Sequence, residues 1–470
     1  MSSTTNSTAI RHFDFRDEFL AQPAKRKSVR ACRRTSCGVK GTSCSAPDDL
    51  GLFEQAWCTV LGLKGQWFDG VSFVARTAEI IRDYWKGKVN SISQITATAY
   101  SCPFEQADQI KFGLGSNVKR DTVIVRVTTD DGLTGWGESH PGQNPTAMTE
   151  IIQQGLGPLI IGCDPLDTEG IWERLNRQQL VTHGLGAGSI MGLSGIDIAL
   201  WDLKGKILGQ PIYRLLGGSR KRVRAYAGGL ALGFRPADEL EEEVGSLMKQ
   251  GFNAIKMRVG DTPARDAERV SHIRKVFGDD LDIAVDAATR YDILDIPDVI
   301  RYCEENRVYW LEEPFTPDNI EAYAELRLRT SIPVAAGENH YGRYSFRQLF
   351  ESRAISVCQA DFTKSGGFTE VKKIADMASA FHIPMAPHTS HSVLSAAGNA
   401  HLLCAIPNGL IFEADVAKVN PFRTDIAKEP FGVVDGFIEP PDGPGLGIEL
   451  DEEELRKFPT VPGACYIPSK

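Results

Sequence analysis

The strongest constraint on this chain is an alternation that runs from residue 223 to residue 413. Short stretches rich in β-branched, small and aromatic residues recur at Val223–Gly228, Ala254–Arg258, Asp282–Asp286, Val308–Glu312, Pro333–Gly337, Ile355–Gln359, Ile383–Ala386 and Leu410–Glu413. Most intervals between them carry a helical pattern, as in "PADELEEEVGSLMKQ" and "GFTEVKKIADMASAF". Strands joined by helical crossovers pair in parallel, and eight of them predict a (β/α)8 barrel. A doubly wound sheet also alternates, but its glycine fingerprint after the first strand is missing here.

The flanks are of another kind. "ISQITATAY" reads as a strand, and "DTVIVRVTTDDGLTGWGES" as a hairpin around an Asp-Asp-Gly turn. "GLSGIDIALWDLKGKILGQPIYRLLGG" reads as an amphipathic helix in which Gly192, Ser194 and Gly195 permit close approach. Residues 1–47 are basic, rich in Ser and Thr and poor in large apolar residues, the composition of a flexible tail. Residues 48–90 hold Trp57, Trp67, Phe68 and Trp85 without a clear period. A net charge of −9 argues against generic nucleic-acid binding. No apolar run approaches the roughly 20 residues of a membrane span. No apolar signal core follows the start, so no membrane partner and a cytoplasmic location are expected. The ten cysteines form no CxxC pair and fit reduced thiols.

In barrels of this kind chemistry gathers at the C-terminal strand ends. Read in order, those ends are Lys256 and Arg258 in "IKMR", Asp286 in "AVD", Glu312 in "WLE", Glu338 in "AAGE", Asp361 in "CQAD", His388 in "MAPH" and Glu413 in "IFE". Asp286, Glu312 and Glu338 follow one another at equal intervals of 26 residues. A bare carboxylate at a buried strand end is costly, so three of them imply a cation. Hard oxygen ligands suit Mg²⁺, which keeps its remaining positions for water or substrate. Lys256 and Arg258 stand two apart, point to one side of their strand and add positive charge beside the acids.

Together with "GWGES" (135–139), "GIDIALWDLKGK" (195–206) and the closing "NPFR" and "DGPGLGIEL" between 420 and 450, these strand ends resemble the enolase superfamily, in its mandelate racemase and muconate lactonizing enzyme group. The resemblance spans about residues 91–460. It implies an α/β chain with a modified (β/α)8 TIM barrel and an α+β capping domain. The expected divisions are an N-terminal extension over 1–90, the capping domain over 91–221, the barrel over 222–425, and a C-terminal segment over 426–470 that returns to the capping domain. It further implies that Asp286, Glu312 and Glu338 bind Mg²⁺, which with a cationic side chain holds the carboxylate of a small-molecule substrate. His388, oriented by Asp361, would be the general base or acid, and Glu413 would hydrogen-bond or protonate the intermediate. Relatives of this kind assemble, so a homo-oligomer is expected.

Three departures refine the reading. The family often has Lys-x-Lys on its second barrel strand, with the second lysine a base; here that place is Arg258, which stays protonated and is a poor base. Two residues after Asp286 the usual Asn or His is Ala288, and "QAD" replaces the usual "QPD". One good base favours a sugar-acid dehydratase. A sugar-acid lactone cycloisomerase comes second and a racemase or epimerase third, with a catalytically degenerate barrel as the non-enzymatic alternative. The loop 103–120 and the stretch near "ESHPGQN" are expected to select the substrate, through Phe104, Lys111 and His140.

Overall fold

The computed structural model describes residues 90–389 and 392–468. The expected extension over 1–90 lies outside the described residues except for Asn90, as do Ser390 and His391.

The first layer is an antiparallel sheet. Strand β1 (Ile92–Pro103) pairs with β4 (Lys119–Thr129), which pairs with β5 (Thr134–Ser139). Between β1 and β4 lie the short strands β2 (Lys111–Phe112) and β3 (Gly115–Asn117), which form a hairpin. The expected strand and hairpin are thus present, and they leave the intervening loop folded over the barrel side of the sheet.

The helix Ala187–Leu208 packs on β5, and its character differs from the amphipathic one expected. Sixteen of its 22 residues are buried. A helix apolar on all sides belongs inside a protein, and here both faces are covered. On one face Gly135 and Gly137 of β5 permit direct backbone contact. A Cβ on either would stand 2.1 Å from a helix carbonyl oxygen, Ala199's or Gly195's. On the other, Trp201 Nε1 donates to Thr369 Oγ1 at 2.8 Å and Asp197 accepts from the Thr369 amide at 3.0 Å. The "GWGES" and "GIDIALWD" stretches are therefore two halves of one contact.

The barrel follows. Strands β6 (Val223–Gly228), β7 (Ala254–Arg258), β8 (Asp282–Asp286), β9 (Leu311–Glu312), β10 (Val334–Ala336), β11 (Val357–Cys358) and β12 (Phe412–Asp415) form one parallel sheet, in the order β11-β10-β9-β8-β7-β6-β12. The expected strand over Ile383–Ala386 is reduced to Met385, which bridges Cys358 on one side and Gly409 on the other. That single residue closes the ring: the Met385 amide donates to Asn408 and the Leu410 amide to Met385, both at 2.8 Å. Several staves are shorter than expected, because strongly tilted barrel strands keep regular pairing only over a few residues. The ladder continues past their ends, as where the Glu313 amide donates to Ala335 at 3.0 Å.

The barrel is filled, as such barrels are, by layers of inward side chains. Ala254, Ala284, Ala335 and Ala386 leave room for Tyr226 and Trp310, whose rings meet edge-on at 5.2 Å. Truncating Trp310 to Ala would cost about 3–5 kcal/mol by the usual large-to-small penalty. This plug closes the floor of the site above it. Near the C-terminus, β13 (Phe437–Ile438) pairs with β6, and β14 (Tyr466–Ile467) pairs with β3. The last strand brings Tyr466 beside Phe112, ring centroids 5.4 Å apart.

Candidate active site

A cavity of about 410 Å³ opens at the C-terminal ends of the barrel strands. Its barrel wall carries Arg258, Asp286, Glu338 and His388; its other wall carries Phe112, Arg120, His140 and Tyr466.

Parallel register sets the floor. Arg258, Asp286 and Glu312 are direct partners across β7, β8 and β9, so their side chains share one layer. Lys256 starts one layer lower and reaches upward. Its Nζ stands 2.6 Å from Glu312 Oε1, 2.8 Å from Glu413 Oε1 and 3.5 Å from Asp286 Oδ2. Burial alone would lower its ammonium pKa, but Glu312 and Glu413 carry it well above the usual lysine range. Arg258 forms an ion pair with Asp286, donates to the Gly229 carbonyl at 2.5 Å, and lies over the Phe112 ring at 5.3 Å. Burial would likewise lower Arg258, yet Asp286 and its acidic neighbours raise it, so it is a fixed cation.

Glu413 accepts from Lys256 at one oxygen and from the Thr389 amide at the other, 3.0 Å away. Burial works to raise its pKa, but Lys256 and His388 lower it overall. Glu413 is thus an ionised acceptor that positions Lys256, which weakens the expectation that it delivers a proton.

His388 is held by its partners at both nitrogens. Nδ1 donates to Asp361 Oδ2 at 2.7 Å, and Nε2 stands 3.2 Å from Glu338 Oε2. Asp361 is itself fixed by the Thr363 amide and hydroxyl, each at 2.7 Å. Burial favours neutral imidazole, but Glu338, Glu413 and Asp361 outweigh it and raise His388 to about 9. Burial also works to raise Asp361, but the hydrogen bond and charge of His388 hold it well below the usual carboxylate range.

The three acids spaced by 26 residues all reach this end of the barrel, but each is turned to a different partner. Asp286 faces Arg258; Glu312 faces Lys256, Trp310 Nε1 at 3.0 Å and Gln359 Nε2 at 2.6 Å; Glu338 faces His388. Among the described residues no three acidic, His or Cys side chains already stand as a metal-binding group. The donor chemistry nonetheless fits a hard divalent cation. Asp286, Glu312, Glu313, Glu338, Asp361 and Glu413 crowd round the permanent cations Lys256, Arg258 and Lys364. Burial, together with Asp286, Glu413 and Glu338, pushes Glu312 up to about 7 against the pull of Lys256. Burial and Glu338 raise Glu313 well above the usual range, and its buried Oε1 has no hydrogen-bond partner. Backbone strain marks the same rim: Ala288, Thr289 and Glu313 have φ of +46°, +63° and +37°, a conformation that costs about 1–3 kcal/mol each and clusters at functional sites.

Of the expected substrate contacts, His140 lines the cavity, with its Nδ1 accepting from the Gly142 amide at 3.1 Å. Lys111 does not: strand alternation sends it to solvent and turns Phe112 inward. Phe104 is half-buried outside the cavity wall. Sequence reasoning noted Glu313 beside Glu312 but gave it no role, and passed over Asn339 and Lys364; all three lie beyond strand ends. Asn339 Nδ2 donates to Glu313 at 2.7 Å, and Lys364 Nζ donates to Asn339 Oδ1 at 3.0 Å. The double acid of "LEEP" was the visible signal for Glu313; nothing comparable pointed to Lys364 or to Arg120.

Comparison with known proteins agrees with this architecture. Residues 94–217 match the mandelate racemase/muconate lactonizing enzyme N-terminal domain, and residues 239–454 match the enolase C-terminal domain-like family. A D-galactarolactone cycloisomerase from Agrobacterium fabrum is 34% identical over 76% of this chain and 94% of its own length. An arabinonate dehydratase from Saccharolobus solfataricus is 35% identical over 72% of this chain and 90% of its own. Among solved structures, an enolase-superfamily member from Polaromonas sp. JS666 is 45% identical, with a TM-score of 0.78 over 80% of this chain and 100% of that one. A racemase from Streptomyces coelicolor A3(2), solved with bound magnesium, is 28% identical, with a TM-score of 0.71 over 78% of this chain and 99% of that one. The chain belongs to the enolase superfamily, in its mandelate racemase/muconate lactonizing enzyme group.

Proposed function

We propose that this protein is a Mg²⁺-dependent sugar-acid dehydratase that removes the proton α to a carboxylate and expels the β-hydroxyl. The observation that carries the reading is the Asp361–His388 pair, whose Nε2 faces the acid-rich rim of the cavity, while the opposite base position holds a guanidinium. Asp286, Glu312 and Glu338 would hold the metal, in keeping with the bound magnesium of the Streptomyces coelicolor relative. When bound, it supplies Lewis-acid charge that stabilises the substrate's developing enediolate.

The chain's own groups do the rest. Lys256 has two donors committed to Glu312 and Glu413 and a third at 3.5 Å from Asp286, so it can turn that one to a substrate carboxylate. Arg258 adds a cation that cannot accept a proton. Asp361 keeps Nδ1 of His388 protonated, so the neutral form of the ring, which gains population as pH approaches its raised pKa of about 9, has Nε2 free to take the α-proton and return it to the leaving hydroxyl. A cycloisomerase that expels a ring oxygen from the same enediolate is the second reading, favoured by the 34% identity to the galactarolactone enzyme.

Incubation with Mg²⁺ and a panel of sugar acids and lactones in D₂O, followed by proton NMR, tests both. A 2-keto product formed with loss of water supports the dehydratase. An isomer of a lactone with no loss of water supports the cycloisomerase. Absence of α-proton exchange across the panel contradicts both and favours a degenerate barrel.

A further inference from the structure

We propose that Arg120 receives a second carboxylate of the substrate, so that the cavity selects sugar diacids, or lactones that keep a free carboxylate, over sugar monoacids. This rests on the function proposed above and narrows its substrate class.

Arg120 lies near the start of β4, is only 4% exposed, and lines the cavity. Its Nη1 pairs with Asp415 Oδ2 at 2.7 Å. Its Nε and Nη2 are buried without a hydrogen-bond partner. Buried donors left unmet are costly, and a guanidinium edge with two free N–H groups matches a carboxylate fork.

The placement sets the distance. Glu413 and Asp415 stand two residues apart on β12, so they point to the same side about 7 Å apart along the strand. Lys256 meets Glu413 at the lower level and Arg120 meets Asp415 at the upper one. A sugar acid with its first carboxylate near Lys256 therefore presents its far end at the level of Arg120. Asp415 does not belong to Arg120 alone. Its Oδ2 also accepts from Asn420 Nδ2 at 2.8 Å, its Oδ1 accepts from the Ala417 amide at 3.0 Å, and the charge of Arg423 lies within reach. Glu138, a second acid near Arg423, is taken up by Thr122, Ser392 and Ser395, and Glu413, a third, by Lys256 and the Thr389 amide. The primary alcohol of a monoacid would leave the free edge of Arg120 without a charged partner.

The test pairs diacids with monoacids of matched configuration, galactarate with galactonate and glucarate with gluconate, on the full chain with Mg²⁺. In D₂O the wild type is expected to exchange the α-proton of a diacid with kcat/KM at least 100-fold above its monoacid partner. Arg120→Lys keeps the charge but loses the fork, and should shrink that ratio at least tenfold. Comparable rates for the two classes in the wild type overturn the proposal whether or not the variant folds. Calorimetric titration with the same four acids supplies a readout independent of turnover. Tenfold tighter binding of the diacids without any exchange would leave this inference standing and contradict the dehydratase reading. Equal binding of both classes, or binding of neither, overturns it.

Discussion

Glu138 and Asp202 are as thoroughly buried as Glu312 and Glu313, yet their surroundings differ in kind. Asp202 accepts from the Trp136 and Leu446 amides, each at 2.8 Å, and pairs with Lys206 at 3.0 Å. Glu138 accepts from Thr122, from the Ser392 amide and hydroxyl, and from the Ser395 amide, and so closes the start of the helix Val393–Ala405. Their neighbours are donors. Around Glu312 and Glu313 the neighbours include other acids, and one oxygen has no donor at all. Burial of a carboxylate is thus a poor sign of function by itself; a cluster of acids that the fold leaves short of positive charge is a better one.

The largest effect should come from the group that works between those acids. His388→Asn is expected to lower turnover about 10²–10⁴-fold, the range of a lost general acid–base, while the far-UV spectrum and Mg²⁺ binding persist. A variant within tenfold of wild type would break the assignment of His388. The complementary substitution is Glu138→Gln, which leaves part of a donor cluster unmet. Its cost should appear in the thermal melt, about 1–3 kcal/mol, with Mg²⁺ affinity unchanged. Loss of metal binding in this variant would erase the distinction between the two sets of acids.

The proton on His388 sharpens the same contrast. Its pKa near 9 arises against burial, from Glu338, Glu413 and Asp361. Raised above its unfolded value of 6.5, it contributes stability that is complete below about pH 6.5 and fades as pH rises through about 9. Mg²⁺ that engages Glu338 removes part of this cause, so the titration midpoint read by NMR should fall on adding metal. A midpoint indifferent to metal would separate Glu338 from the ion. The smallest effect belongs to Glu313→Gln. Neutralising an acid with an unmet oxygen should leave metal-free stability unchanged or raise it by up to about 1 kcal/mol; a fall beyond that would mean that Glu313 is satisfied as a carboxylate.

Much of this was legible in the sequence where regular periodicity acts. The barrel and the strand-end positions of Asp286, Glu312, Glu338 and His388 follow from the alternation of the staves. The seventh stave was overestimated because one bridged residue, Met385, suffices to close the ring. The helix Ala187–Leu208 was read as amphipathic, yet it carries Asp197 and Asp202 inside the protein rather than on a solvent face. In the structure both aspartates are buried as hydrogen-bond acceptors. Lys111 was expected to meet the substrate, whereas the parity of a two-residue strand turns Phe112, not Lys111, to the cavity. Arg120 was hidden because its partner, Asp415, is nearly three hundred residues away in the chain. Such pairings are set by how the two layers stack, and no local pattern records that.

The account stands or falls on whether the acid-rich rim takes a divalent ion. Calorimetric titration of Mg²⁺ into the wild type and into Asp286→Asn measures this directly. One ion per chain in the wild type, lost in the variant, is the predicted result. No binding in the wild type, or binding that Asp286→Asn leaves intact, would contradict it.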